Sequence, residues 1–255
     1  MSATPQSCKV SILVKALPQP SKQYGETVCC AGVTADGGWK RLFPVRYRHL
    51  SGESSFSRWD WVKFRYRRPT SDARAESCHV FEDSIEIDGK LSSKREQIRL
   101  LTPLIVGSAQ IATERKQSLA LVRPRNPRFI AKAKSKKELD EEREAYRRAA
   151  GQTSMFDQEL AKVEPSPYEF RFKFEDDGGK HDYENGDWET HAMFWHQRKR
   201  TNEADALKWM DQTFNVEYPR KGMVFAIGNQ AKRPQTWQLL GVIRLDEASQ
   251  GELAV

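Results

Sequence analysis

The chain has 255 residues, 38% of them hydrophobic, with 42 Lys and Arg against 35 Asp and Glu, a formal charge of +7 and a pI near 9.2. That length holds two small domains or one large one, and short alternating apolar groups point to a folded chain with one mobile insert. The first residues carry too short an apolar run for a signal peptide, no stretch approaches a membrane span, and four irregularly spaced cysteines (Cys8, Cys29, Cys30, Cys78) exclude a disulfide framework, so a cytoplasmic protein without membrane contact is expected.

The first part of the chain predicts strands. Val10, Ile12 and Val14 alternate with Lys9, Ser11 and Lys15, the pattern of a half-buried strand. The segments 27–34 and 39–48 flank Asp36-Gly37, a strong hairpin signal. Pro44 has no N–H to give to a ladder, which makes the second arm an edge strand or interrupts it. Over 61–68, Val62, Phe64 and Tyr66 alternate with Trp61, Lys63, Arg65 and Arg67. One face therefore enters a core while the other presents an aromatic and three cations. A further strand over 78–87 runs into a turn at Asp88-Gly89.

Residues 113–165 read as a basic linker and helical insertion. Ser135 and Glu138 form a capping box, Gly151 suits a helix stop, and a helix is predicted over 136–150. Its apolar stripe (Leu139, Tyr146, Ala149, Ala150) is thin, so the helix is a candidate dock for a protein partner, with a linker over 151–167. Strands resume where Tyr168, Phe170, Phe172 and Phe174 alternate with charged residues up to the turn Asp177-Gly178-Gly179. A helix over 203–214 shows Leu207, Met210 and Phe214 on one face; strands over 223–227 and 237–245 follow, the latter apolar enough to be central. The expected fold is mainly β: two small OB-like Greek-key barrels with a helical insertion, divided as 1–112, 113–165 and 166–255.

Charge is concentrated. Residues 39–74 hold ten Lys and Arg, three acids and eight aromatics, a net +7 in 36 residues. Residues 114–137 hold nine cations against Glu114, so the rest of the chain is acidic by eight. Cations beside stacking side chains are what single-stranded nucleic-acid surfaces are made from. Phe43, Tyr47, Trp59, Phe64 and Tyr66 are expected in the core. The candidate nucleic-acid contacts are Arg46, Arg48, Lys63, Arg65 and Arg67 for phosphates and Trp61 for a base, with the 114–137 stretch as a possible clamp.

Three other clusters carry residue types capable of chemistry. His181, Asp187, Glu189 and His191 hold ligand types for a divalent metal, and in an extended segment Asp187, Glu189 and His191 would share one face, the geometry of a metal-dependent nuclease. No recognised metal spacing is matched, and no metal or cofactor is expected. Cys78 and His79 are neighbours on a strand and point to opposite faces, so a structural ion pair between Asp72 or Glu76 and a nearby Arg is expected there instead of a nucleophile. Gly228-Asn229-Gln230 reads as a hairpin or Ω-type loop, lacking the glycine spacing of a phosphate loop.

Two sets of residues carry a resemblance to a known family. The first is Lys22-x-Tyr24-Gly25-Glu26-Thr27-Val28-Cys29, Trp39-x-Arg41-Leu42-x-Pro44-Val45 and Asp72-x-Arg74-x-Glu76-Ser77. The second is His181, Asp187-Trp188-Glu189, Gly228-Asn229, and Trp237 with Gly241. Together they resemble an uncharacterised prokaryotic family of dual OB-fold-containing domains found in mobile-element and defence neighbourhoods. The resemblance implies two OB folds and nucleic-acid sensing or binding. Relatives often carry a Cys-x-x-Cys-like pair before the equivalent of His181; here 175–180 holds no cysteine, which implies that any zinc site is lost. The expected function is thus non-enzymatic nucleic-acid binding, with a nuclease and a protein-interaction adaptor as alternatives.

Overall fold

In the computed structural model, which describes residues 4–17, 19–21, 25–46, 50, 55–150 and 164–246, the early alternating segments close into a barrel. Its strands are β1 (Gln6–Lys15), then β4 (Cys30–Val33), β5 (Trp39–Phe43), β6 (Asp60–Arg67) and β7 (Ser77–Lys90), with a small hairpin of β2 (Gln19–Ser21) and β3 (Gly25–Thr27) inserted after β1. The order around the barrel is β1-β4-β5-β7-β6, with β5 and β7 parallel and the other pairs antiparallel. This is the five-stranded Greek-key circuit of an OB fold. Val10, Ile12, Cys30, Leu42, Val62 and Phe64 fill its interior.

The Asp36-Gly37 turn forms as expected, with Val33 paired to Trp39 and Gly37 at φ +87°. β5 stops at Phe43, just before Pro44, yet it is no edge, because β7 pairs along it. Asp88-Gly89 lies inside β7 rather than at a turn. Gly89 takes φ +96° and the one extra residue is absorbed as a bulge between the Val62–Ile87 and Asp60–Lys90 pairs. Two short helices follow where strands were expected: α1 (Lys94–Leu101), capped by Ser93, and α2 (Ala109–Glu114), capped by Ser108. Ser93-x-x-Glu96 was a helix-start signal in plain view.

A two-residue strand β8 (Ile105–Val106) precedes α2. The stretch read as a basic linker supplies strands of a second barrel: β9 (Leu119–Val122), buried at all four residues, and β10 (Arg125–Ala133). Four apolar residues between charged flanks are enough for a central strand. α3 (Lys136–Ala150) has the predicted bounds, and its capping box is made: the Ser135 hydroxyl accepts from the Glu138 N–H while the Glu138 carboxylate accepts from the Ser135 N–H. Gly151 and most of the expected linker lie outside the described residues. Then come β11 (Tyr168–Asp176), β12 (Gly179–Glu184), α4 (Trp188–Arg200), α5 (Glu203–Gln212), a π-helical turn at Thr213–Glu217, β13 (Met223–Gln230) and β14 (Arg233–Arg244).

The second unit runs the same circuit in a more open form. β9 pairs with β13, and after the break at Arg123-Pro124 its continuation β10 pairs with β11, which pairs with β12. β13 pairs with β14, and a single parallel bridge between Asn185 and Leu239 closes the seam. β13 and β9 are the inner strands of their sheet, and β14, expected to be central, stands at its end. Phe129, Phe170, Phe172, Phe174, Phe194, Phe214 and Phe225 form the core, with α4, α5 and the π turn contributing Phe194, Met210 and Phe214.

A third apolar cluster joins the barrels. Leu13, Ala31, Val33 and Trp39 from the outer face of β1, β4 and β5 meet Leu119, Leu121, Val224, Ala226 and Ile243 from the outer face of β9, β13 and β14. This explains why β1 is buried on both faces over its last six residues instead of being half-buried.

Candidate nucleic-acid interface

The alternation in β6 is realised. Val62, Phe64 and Tyr66 are buried, while Lys63, Arg65 and Arg67 are exposed on the same face as a half-buried Trp61. Trp61 stands at the far end of this row. It lines a groove with Leu91, Leu100, Pro103 and Leu104, and the Lys9 ammonium sits 5.5 Å from its ring centre. Arg46 reaches the β7 side of the barrel, and Arg48 lies outside the described residues.

The row is not a bare positive field, because β7 lays its acids beside it. Asp88 takes both Lys63 at 2.8 Å and Lys9 at 2.6 Å, Arg65 faces Asp83 at 3.6 Å, and Arg46 pairs with Glu82 at 2.8 Å. Hydrogen bonds from Lys63 and Lys9 hold the Asp88 carboxyl down at about 2. Exposed pairs of this kind are weak because water screens them, so a phosphate can displace the carboxylate. Among the described residues no ion pair engages Arg67.

Strand register adds aromatics that the sequence reading left out. Phe43 pairs with His79, which pairs with Arg67, making one row across β5, β7 and β6. Phe81 and Arg65 make the next, with the guanidinium 6.0 Å from the Phe81 ring centre. Phe43 was expected in the core, but it is 41% exposed, since β5 leaves the inter-barrel contact at that residue. Burial and then the Arg67 charge push the His79 imidazole below its ordinary value, so at neutral pH it offers a neutral ring. The signal was the parity of β7, whose outward residues include His79 and Phe81. Phe64 and Tyr66 are in the core as expected.

Several cations of the 39–74 window turn inward and hold the barrels together. Buried Arg41 donates to the Ser118 carbonyl at 2.9 Å, and Glu76 accepts from the Ser118 N–H and hydroxyl, both at 2.8 Å. Arg74 pairs with Asp72 at 2.6 Å and donates to the Asn229 carbonyl at 2.7 Å. Arg58 grips both oxygens of Asp187 at 2.9 and 3.0 Å and donates to the Val242 carbonyl at 2.8 Å. The expected ion pair forms between Asp72 and Arg74, and with the Glu76–Ser118 hydrogen bonds it belongs to an inter-barrel clamp. Gly228-Asn229-Gln230 forms the end of a hairpin, and Gly228 has no room for a Cβ beside Leu240 and Arg41.

The metal-site geometry does not form. The segment is not extended: Asp187 caps α4 and is spent on Arg58 and the Val242 N–H, while Glu189 pairs with Lys15 at 2.8 Å. His191 is buried, its ring nitrogen 3.3 Å from the Asn185 carbonyl, and His181 lies 2.7 Å from Asp176. Burial holds the His191 imidazole down at about 4. Among the described residues no group of three or more His, Cys, Asp or Glu is placed to hold a metal ion. Cys78 is buried and its thiol is pushed up to about 12 by burial, which suits a core residue and not a nucleophile. In the 114–137 stretch, Arg125 pairs with Asp177, Lys132 with Glu169 and Lys134 with Glu142, so its charge is spread over β10 and α3 and partly neutralised. No helix of the described residues is long and apolar enough to cross a membrane.

No curated protein matches the chain. One solved structure, described as "Structure and Conformational Change of a Replication Protein A Heterotrimer Bound to ssDNA", is similar over 98% of this chain and 68% of that one, at 10% identity and a TM-score of 0.24, a likeness too low to carry an argument. Residues 6–103 match a family described as Domain of unknown function (DUF8758). Residues 105–253, more than half of the chain, match the adjacent Domain of unknown function (DUF8757), and the chain belongs to that family.

Proposed function

We propose that the chain binds single-stranded nucleic acid across the outer face of β5, β7 and β6, without cleaving it. Arg46, Lys63, Arg65 and Arg67 contact phosphates, and Phe43 and Phe81 offer faces for bases, with Trp61 at the end of the row. The observation that carries the reading is the pair of cross-strand rows, exposed Phe43 with His79 and Arg67, and half-buried Phe81 with Arg65. Base–aromatic stacking contributes about 1–3 kcal/mol per base, and four single-strand phosphate contacts give a salt slope of about −2.8 in log affinity. A place in a prokaryotic defence or mobile-element system, as the resemblance implies, would use such a contact.

Fluorescence anisotropy with labelled single-stranded DNA, single-stranded RNA and duplex at two salt concentrations tests it. Binding at low salt, a slope near the stated value, and a loss of at least tenfold in both Phe43→Ala and a Lys63/Arg65/Arg67→Ala variant are expected. No binding at low salt, or full binding by both variants, refutes the assignment.

A further inference from the structure

A second feature lies on the seam between the barrels, away from the β5–β7–β6 face. A cavity of about 250 Å³ is lined by Arg58, Trp59, Glu189, Met193, Phe214 and Tyr218, among others. Two unusual backbone features meet there. Trp59 holds φ +75°, a left-handed conformation that is a genuine outlier for a bulky residue, and Phe214 stands in the π-helical turn. Both kinds of irregularity gather at ligand sites, and cavities at domain interfaces are where ligands bind most often.

The lining defines the ligand. Its lining charges are already met within the chain, Arg58 by Asp187 and Glu189 by Lys15, and nearby Arg244, stacked 5.5 Å over the Tyr218 ring, shares Asp246 with Lys94. A net anion or cation gains little from such a site, whereas a neutral planar ring gains stacking area from Trp59 and Tyr218. Glu189 uses Oε1 on Lys15, and among the described residues its Oε2 has no hydrogen-bond partner. A one-third exposed carboxylate beside aromatic faces selects adjacent N–H and amino donors. The volume is base-sized and small for a whole nucleotide.

We propose that this cavity binds a guanine base, its N1–H and 2-amino group donating to the Glu189 carboxylate and its ring lying against Trp59 and Tyr218. The site does not depend on the strand-binding reading. The base comes either from a free nucleoside or from a nucleic-acid strand, and the chemistry is the same.

Isothermal titration of the full chain with guanosine, inosine and uridine tests it. Inosine lacks the 2-amino group, so it should bind about tenfold more weakly than guanosine, with uridine weaker still. Glu189→Gln should erase the guanosine–inosine difference. Met193→Trp, which fills the cavity without touching a polar contact, should abolish binding while thermal melting reports an intact fold. In a parallel arm, oligonucleotides carrying a single guanine or hypoxanthine in an oligothymidine strand are compared. Silence with free guanosine but a guanine preference that Glu189→Gln removes assigns the site to a strand-borne base. Equal binding of guanosine and inosine, guanosine binding unchanged in Met193→Trp, or no guanine preference in either arm overturns the proposal. The Lys63/Arg65/Arg67→Ala variant separates the readings: it should lose oligonucleotide and keep guanosine if both hold.

Discussion

Asp187→Asn isolates the charge at the centre of the inter-barrel clamp. The Asp187 side chain is 1% exposed and accepts from Arg58 Nη2 at 2.9 and 3.0 Å, from the Val242 N–H at 3.0 Å and from the Glu189 N–H at 3.1 Å. Burial pushes its carboxyl upward, and the Arg58 guanidinium and Val242 N–H oppose that push. Asparagine caps a helix about as well as aspartate, so the start of α4 survives the change. What is lost is the counter-charge of a mostly buried guanidinium, while the new amide must aim a donor at other donors. Removing one partner of a buried pair costs about 3–5 kcal/mol. The retained bond from Arg58 to the Val242 carbonyl places this site toward the lower end. The double variant Asp187→Asn with Arg58→Met should cost clearly less than the two single changes added together, with a coupling of at least ~2 kcal/mol. Urea denaturation followed by tryptophan fluorescence and far-ultraviolet circular dichroism measures all four states. The two probes should coincide, because one apolar cluster spans both barrels. A loss below about 1 kcal/mol in Asp187→Asn, or an additive cycle, would show that the pair is incidental.

His191 and Gly32 give two further tests. Burial keeps the His191 imidazole neutral down to about 4, whereas the unfolded chain takes up that proton near its ordinary 6.5. The unfolded state therefore binds more protons between those values, and stability should fall as pH drops through that window, by at most about 3 kcal/mol. Urea midpoints at pH 7 and pH 4.5 read this, and a His191→Gln chain with the same pH dependence refutes the assignment. At Gly32 a Cβ would meet the Ser11 carbonyl oxygen at 2.5 Å, a backbone atom that cannot swing aside, whereas at Gly228 the nearest atom is the Leu240 methyl at 2.6 Å. Gly32→Ala should therefore cost about 2–3 kcal/mol and more than Gly228→Ala; the reverse order of melting temperatures contradicts the argument.

Alternation carried most of the first barrel into view, because Val10, Val62 and Phe64 face one interior whatever lies outside it. What it could not show was a second wall. Leu13, Ala31 and Trp39 look outward from the first barrel, and only the docking of the second buries them. The same blindness affected charge. Arg41, Arg58 and Arg74 count in the sequence as part of a +7 window, yet each is aimed at a carbonyl or carboxylate of its own chain. Residues 187–191 misled for a local reason: their alternation suits a strand as well as a helix, and the Asp187 cap decides the matter. β9 was hidden by composition, since Leu119–Val122 is a four-residue apolar run between flanks rich in cations.

Under the proposed function, the docking also limits where a strand of nucleic acid can lie. An OB fold generally binds oligonucleotides on the face of its second and third strands, which are β4 and β5 in the first barrel. Here Ala31, Val33, Trp39 and Arg41 on that face are covered by the second barrel. The equivalent face of the second barrel, on β11 and β12, is open but carries Glu169, Arg171, Lys173 and Asp182 in a continuous ion-pair chain, with charge where aromatic platforms would be needed. Several of the residues that carry the resemblance join the two barrels. Arg41, Asp72, Arg74, Glu76, Asp187, Gly228 and Asn229 all belong to the clamp, and none belongs to the row of Lys63, Arg65 and Arg67. These contacts and the apolar cluster hold the two barrels as one body. In that body one place where aromatics and cations meet in solvent is the margin of the dock, where β5 emerges at Phe43 and β7 brings His79 and Phe81 beside Arg67 and Arg65.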